Sequence, residues 1–228
     1  EEGYVRLRAV DANGVTSNRV AIDAIKFMRI PNYPDLYNNI ETGVEEDIFN
    51  LTAIGAVKGY PDGQFRPDGP INRAEFLKIL IIAVRDAIQK QRVGEKIAYP
   101  GFPDVDQNAW YAPYVTEAYE ARIINGFEDG YFHPDNPILR AEAAKMILTS
   151  FDLIPNDYDI PKSFSGTYAD IMDNQWYAKY VARCCELGLM GAYKPSEPNI
   201  FGWDIPLTRA ESAHIINSAY LDKIGCIH

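Results

Sequence analysis

The sequence predicts a mainly α-helical protein of three related units, their second helices gathered as a central three-helix bundle, preceded by a short β segment. Three observations carry this. A stretch of loop and helix start recurs at a fixed offset, the helices that follow are apolar on more than one face, and only the first 30 residues alternate with a period of two.

In the lead, Val5, Leu7 and Ala9 alternate with Arg6 and Arg8, Asn13-Gly14 offers a hairpin turn, and apolar residues resume from Val20 to Ile30. Two strands cannot bury both faces, so residues 1–32 read as a hairpin or as the end of a β domain. Pro31-Asn32-Tyr33-Pro34 then breaks the pattern, and helical periodicity interrupted by Gly-Asp-Pro loops takes over.

The repetition begins with Gly59-Tyr-Pro-Asp-Gly-Gln-Phe-Arg-Pro-Asp68, followed by Ile71 and Arg73-Ala-Glu75. It returns 67 residues later as Gly126-Phe-Glu-Asp-Gly-Tyr-Phe-His-Pro-Asp135, Ile138 and Arg140-Ala-Glu142. A third unit repeats Asp104, Trp110, Tyr111 and Val115 as Asp170, Trp176, Tyr177 and Val181, and ends in Leu207-Thr-Arg-Ala-Glu211. The units are therefore set at 33–92, 93–157 and 158–228, each reading as loop, helix, turn, second helix. Ala74 to Lys90 is apolar too widely for a single stripe, which suits a helix surrounded by protein. Asn72 with Glu75 and Thr208 with Glu211 have capping-box spacing, whereas Leu139 breaks it in the second unit.

Composition limits the function. Lys and Arg number 22 against 32 Asp and Glu, a net charge of −10, so the overall field repels nucleic acid and anionic lipid surfaces. The longest apolar run, Ile79 to Val84, is far short of a membrane span. Cys184, Cys185 and Cys226 show neither a disulfide framework nor zinc-ligand spacing, although one of the adjacent pair has Cys226 as a candidate partner. A chain that opens on Glu1 and a strand reads as a piece of a longer polypeptide.

These residues closely resemble the S-layer homology family, whose repeats carry an opening Phe-x-Asp-Val, a downstream Trp, a Gly-Tyr-x-Asp-Gly-x-Phe-x-Pro turn and a Thr-Arg-Ala-Glu helix start. The resemblance covers about residues 40–222 and implies a pseudo-threefold spindle, the C-terminal part of a bacterial surface protein. It further implies an extracellular location and grooves between repeats that hold a cell-wall polysaccharide, often ending in a pyruvylated amino sugar. Neither catalysis nor a cofactor is implied. The alternative is a lattice or spacer subunit holding copies of itself through protein contacts. An upstream catalytic domain is a third reading, to which these residues contribute no chemistry.

The candidate site residues have two readings each. Arg73, Arg140 and Arg209 stand in the first turn of a helix, where the dipole disfavours a cation. Either they join exposed amides as a carboxylate receptor or they bridge to Asp104, Asp170 or a neighbouring Glu that ties units together. Trp110 and Trp176 either offer a flat face to a sugar ring or staple the next helix to the core. Asp104 and Asp170 either accept sugar hydroxyls or cap backbone amides. Gly59 and Gly126 allow a turn with positive φ and, by the resemblance, a close approach to ligand. Asp62-Gly63 and Asp129-Gly130 lack the ligand spacing of a calcium loop, and His133 and His214 read as solvated. At the 67-residue offset Asp104 and Trp110 fall on Tyr37 and Gly43, so the first unit is expected to lack both the acid and the indole. With the turn of the third unit rebuilt as Tyr193 to Gly202, at least one groove is expected to serve packing alone.

Overall fold

A computed structural model describes residues 33–36, 44–87 and 98–223. The expected β segment, the end of the 74–90 helix and Cys226 lie outside them. After a 3-10 turn at Pro34–Leu36 come α1 (Val44–Ala53), α2 (Arg73–Ala87), α3 (Ala112–Glu120), α4 (Arg140–Ser150), α5 (Ala178–Glu186) and α6 (Arg209–Lys223). Among the described residues there is no sheet, only isolated bridges.

The long helices α2, α4 and α6 each begin at a repeated arginine, and α2 lies against both α4 and α6. The outer helices do not pack on their own unit's long helix in turn. Instead α3 packs on α2, α5 on α4 and α1 on α6, so each unit's first helix covers the preceding unit's second, and the first unit covers the third. Val115, Val181 and Ile48, at equivalent positions of these outer helices, are wholly buried by this exchange.

Around the axis the main chain closes a ring. Ile138 N–H donates to the Ile71 carbonyl (3.0 Å), Ile71 to Leu207 (3.2 Å) and Leu207 to Ile138 (3.0 Å). The helix starts that follow have orphan amides, as every helix does. Here the next unit supplies the acceptors: Arg73 and Ala74 N–H donate to Asn136 and Pro134 carbonyls, Arg140 and Ala141 to Ile205 and Trp203, Arg209 and Ala210 to Gly69 and Pro67. Both expected capping boxes close, with Glu75 N–H on Asn72 Oδ1 at 2.8 Å and Glu211 N–H on Thr208 Oγ1 at 3.1 Å. Leu139 leaves only the returning half, its N–H donating to Glu142 Oε2.

The turns are held from beneath. Phe65, Phe132 and Phe201 are fully buried, each worth on the order of 1.5–3 kcal/mol. Each meets an aromatic from the front of its own unit, Tyr33, Phe102 or Tyr168. At Gly59 and Gly126 φ is +66° and +80°, and a Cβ on either would overlap the Tyr33 or Phe102 ring, so glycine is required twice over.

Candidate ligand grooves

The three arginines are buried, with 4%, 5% and 7% of their surface exposed, and make one contact pattern three times. Arg73 Nε donates to the Phe132 carbonyl, Arg140 Nε to Phe201 and Arg209 Nε to Phe65, each at 2.9 Å. Their Nη1 atoms face Glu142 (3.0 Å), Glu211 (3.7 Å) and Glu75 (3.5 Å). Each arginine thus reaches into the next unit, and the third returns to the first. The acidic partner is the glutamate of the neighbouring Arg-Ala-Glu, not Asp104 or Asp170. Aromatic rings also lie against each guanidinium: Phe127 and Phe132 at Arg73, Tyr193 and Phe201 at Arg140, Tyr60 and Phe65 at Arg209. Burial pulls the pKa of Arg73 and of Arg140 down, with the facing glutamate offsetting part of the effect.

This geometry removes one half of the expected receptor, because the helix-start amides are taken up by neighbouring carbonyls. It also distinguishes the arginines. Arg140 Nη2 donates to the Gly191 carbonyl in the rebuilt loop at 2.7 Å. Among the described residues Nη2 of Arg73 and of Arg209 has no such partner, and these two arginines line the two clefts described next.

The larger cleft, about 550 Å³, runs between the turn before α4 and the start of α5. Gly126, Phe127, Glu142 and Lys145 of the second unit line it, with Trp176 of the third and Arg73 of the first. The smaller, about 280 Å³, has the same plan one unit earlier: Gly59, Tyr60, Glu75, Lys78, Trp110 of the second unit and Arg209 of the third. Every cleft therefore draws on all three units. Trp110 and Trp176 are about half exposed, so they do not act as core staples. Lys145 Nζ stands 5.8 Å from the Trp176 ring. Burial lowers the pKa of Lys145, and the Lys179 and Arg73 charges lower it further; at Lys78 burial acts with Lys58 and Arg209. Sequence reasoning passed over these lysines, although they stand five residues after an arginine in both units.

Asp104 and Asp170 act as caps. Asp104 accepts from Phe132 N–H (3.0 Å) and His133 N–H (2.6 Å), and Asp170 from Phe201, Gly202 and Trp203 N–H. The expectation that the first unit lacks this acid is overturned, for Asp35 accepts from Phe65 and Arg66 N–H in the same way. The first unit is two residues longer between acid and turn, so a fixed offset pointed to Tyr37, which lies outside the described residues. Asp62 and Asp129 bond to the amides of Gln64 and Tyr131 within their own turns.

The third position around the axis differs. His214 replaces the groove lysine, and its Nδ1 meets Asp47 Oδ2 of α1 at 2.6 Å, while Asn217 Nδ2 donates to Asp47 Oδ1 at 2.7 Å. His214 is exposed, as expected, and is paired besides. His133 is paired as well, with Asp129 at 2.8 Å.

Comparison with known proteins agrees with this architecture. The chain is similar to the Surface layer protein of Brevibacillus choshinensis, 34% identical over 119 residues (51% of this chain, 10% of the relative). It is similar to the Amylopullulanase of Thermoanaerobacterium thermosulfurigenes, 29% over 224 residues (96% and 11%), and to the Cellulosome-anchoring protein of Acetivibrio thermocellus, 30% over 164 residues (71% and 34%). The chain spans between about a tenth and a third of these relatives' lengths. Residues 30–77 and 101–144 match the S-layer homology domain.

Proposed function

We propose that the chain anchors a longer surface protein, non-covalently, to a bacterial cell-wall polysaccharide with an anionic sugar, and that the two clefts are where the sugar sits. The carrying observation is the convergence in each cleft of a buried guanidinium edge, a partly desolvated lysine and a half-exposed indole, in a chain whose net charge is −10. A cation in a recess of low dielectric attracts an anion more strongly than the same charge on an open surface. The indole supplies a flat apolar face with an N–H at its edge, which suits a sugar ring. A pyruvyl carboxylate is the anion this reading favours. Of the residues singled out from sequence, Arg73, Arg209, Trp110, Trp176, Gly59 and Gly126 line the clefts as ligand candidates, Asp104 and Asp170 position the turns, and Arg140 belongs to the third position.

The S-layer homology match and the surface-layer relatives place the protein at the cell surface, outside the cell. Relatives named as enzymes align with this chain over a small share of their length, 11% in the amylopullulanase, which supports a tethering role for this part and none in catalysis.

Co-sedimentation of the chain with bacterial wall sacculi, before and after removal of their accessory polysaccharide, tests the proposal. We expect binding to intact sacculi, its loss from stripped ones, and about tenfold weaker binding in Trp176→Ala and Lys145→Ala, whose side chains are not buried in the bundle. Equal sedimentation with stripped walls overturns it.

A further inference from the structure

The two clefts share a plan but differ at several lining residues, Lys58 against Asn125 and Tyr60 against Phe127 among them, and the second of these differences reaches the glutamate on the floor. Glu75 is fully engaged. Its Oε2 meets Asn72 N–H (3.4 Å) and Arg209 Nη1 (3.5 Å), and its Oε1 is reached by the Tyr60 hydroxyl at 3.4 Å. Glu142 is engaged on one side only: Oε2 meets Leu139 N–H (3.1 Å) and Arg73 Nη1 (3.0 Å). Phe127 has no hydroxyl to offer, and among the described residues Glu142 Oε1 has no partner, although the residue lines the larger cleft. The lip residues are also held differently. Arg66 and Arg209 both lie against the Tyr60 ring, at 4.0 and 4.7 Å, whereas Phe127 has Arg73 at 4.5 Å and the His133 ring, edge to face, at 5.0 Å, and is 40% exposed.

We infer that residues 60 and 127 decide which cleft selects the sugar: with Phe127, Glu142 Oε1 is left to accept a hydroxyl or amide N–H of the anionic sugar, and with Tyr60 the equivalent oxygen is already spoken for. The larger cleft then reads two features at once, an anion at Lys145 and the Arg73 edge, and a hydrogen-bond donor at Glu142. The acidic oxygen does not repel the ligand, because its carboxylate is already neutralised by Arg73 and is presented to a neutral donor. The smaller cleft reads the anion alone. Its volume, about 280 Å³ against about 550 Å³, also falls at the bottom of the range of ligand pockets. This inference rests on the sugar-binding reading above.

The indole N–H resonances of Trp110 and Trp176 report the two clefts separately and are assigned with Trp110→Phe and Trp176→Phe. The intact chain is titrated with the methyl glycoside of an N-acetylhexosamine carrying a pyruvate ketal, and with the same glycoside lacking it. The Trp176 signal is expected to move at about tenfold lower concentration of the pyruvylated sugar than the Trp110 signal. Phe127→Tyr is expected to raise the Trp176 midpoint about tenfold, and Tyr60→Phe to lower the Trp110 midpoint severalfold. Both substitutions are made at the lip of a cleft, and unchanged melting temperatures verify that the fold is intact. If the indoles respond in the parent but both variants keep midpoints within twofold, the inference is wrong while the sugar-binding reading stands. If neither indole moves in the folded parent with either sugar, the sugar-binding reading is wrong and this inference goes with it.

Discussion

The cleft beneath Trp176 and the seam between α6 and α1 occupy equivalent positions around one axis, yet among the described residues the first offers a lysine to a recess and the second holds the equivalent side chain against a carboxylate. In the cleft the helix carries Lys145 near an exposed indole. At the seam the same helical position carries His214, which is tied with Asn217 to Asp47 across the interface. The scaffold at both is alike, down to the 2.9 Å bond from arginine Nε to the next unit's phenylalanine carbonyl. The repeated motif therefore builds the frame, and whether the frame holds a ligand depends on side chains outside the motif.

The largest effect is expected where the frame itself is cut. Arg73→Ala leaves the Glu142 carboxylate and the Phe132 carbonyl without their partner, and should cost about 3–5 kcal/mol in urea unfolding. Arg140→Ala should cost a similar amount, which would show that the third position is structurally as necessary as the cleft it does not resemble. A small loss at Arg140 would break the equivalence. Next come the caps: Asp35→Ala and Asp104→Ala should each cost about 1–3 kcal/mol, because two turn amides lose their acceptor in each. Equal losses would confirm that the first unit's front is intact.

Charge supplies a smaller but sharper test. Burial, with the Lys179 and Arg73 charges, holds the Lys145 pKa below its ordinary 10.5, and only the protonated ammonium attracts an anion. Binding to sacculi should therefore decline as pH rises, beginning below 10.5. Lys145→Arg should keep its binding through that range, since the guanidinium stays charged. The smallest effect is expected at the seam, where Asp47→Ala should lower stability by about 1–2 kcal/mol and leave sacculus binding unchanged.

The helical units and both capping boxes were legible because they repeat locally, within a span that a fixed offset or a three-residue spacing can register. Asp35 was not, because a two-residue change in spacing hid it, although Tyr33-Pro34-Asp35-Leu36 parallels Phe102-Pro103-Asp104-Val105 closely enough to be found by allowing a gap. Which residues share a cleft was illegible for a deeper reason. Each takes its arginine from the preceding unit and its tryptophan from the following one, so reading any unit alone pairs the wrong residues. Arg140 and Arg209 look alike in sequence, and the bond from Arg140 Nη2 to the Gly191 loop carbonyl that sets them apart has no signature there. The Asp47 and His214 pair, 167 residues apart, has no local signature at all.

The closed circuit of arginines has a consequence for how the chain acquires its structure. In a linear array of repeats each unit leans only on its neighbours, and the end units can fray or be trimmed without undoing the rest. Here Arg209 completes the pocket of Phe65, 144 residues earlier, so the unit made first lacks a partner until the one made last arrives. Contacts of such sequence separation are slow to form, because the intervening loop must close before they are gained. Folding should accordingly be a single event that waits for residues 209–223, and a fragment ending before α6 should remain largely unfolded, not two-thirds native.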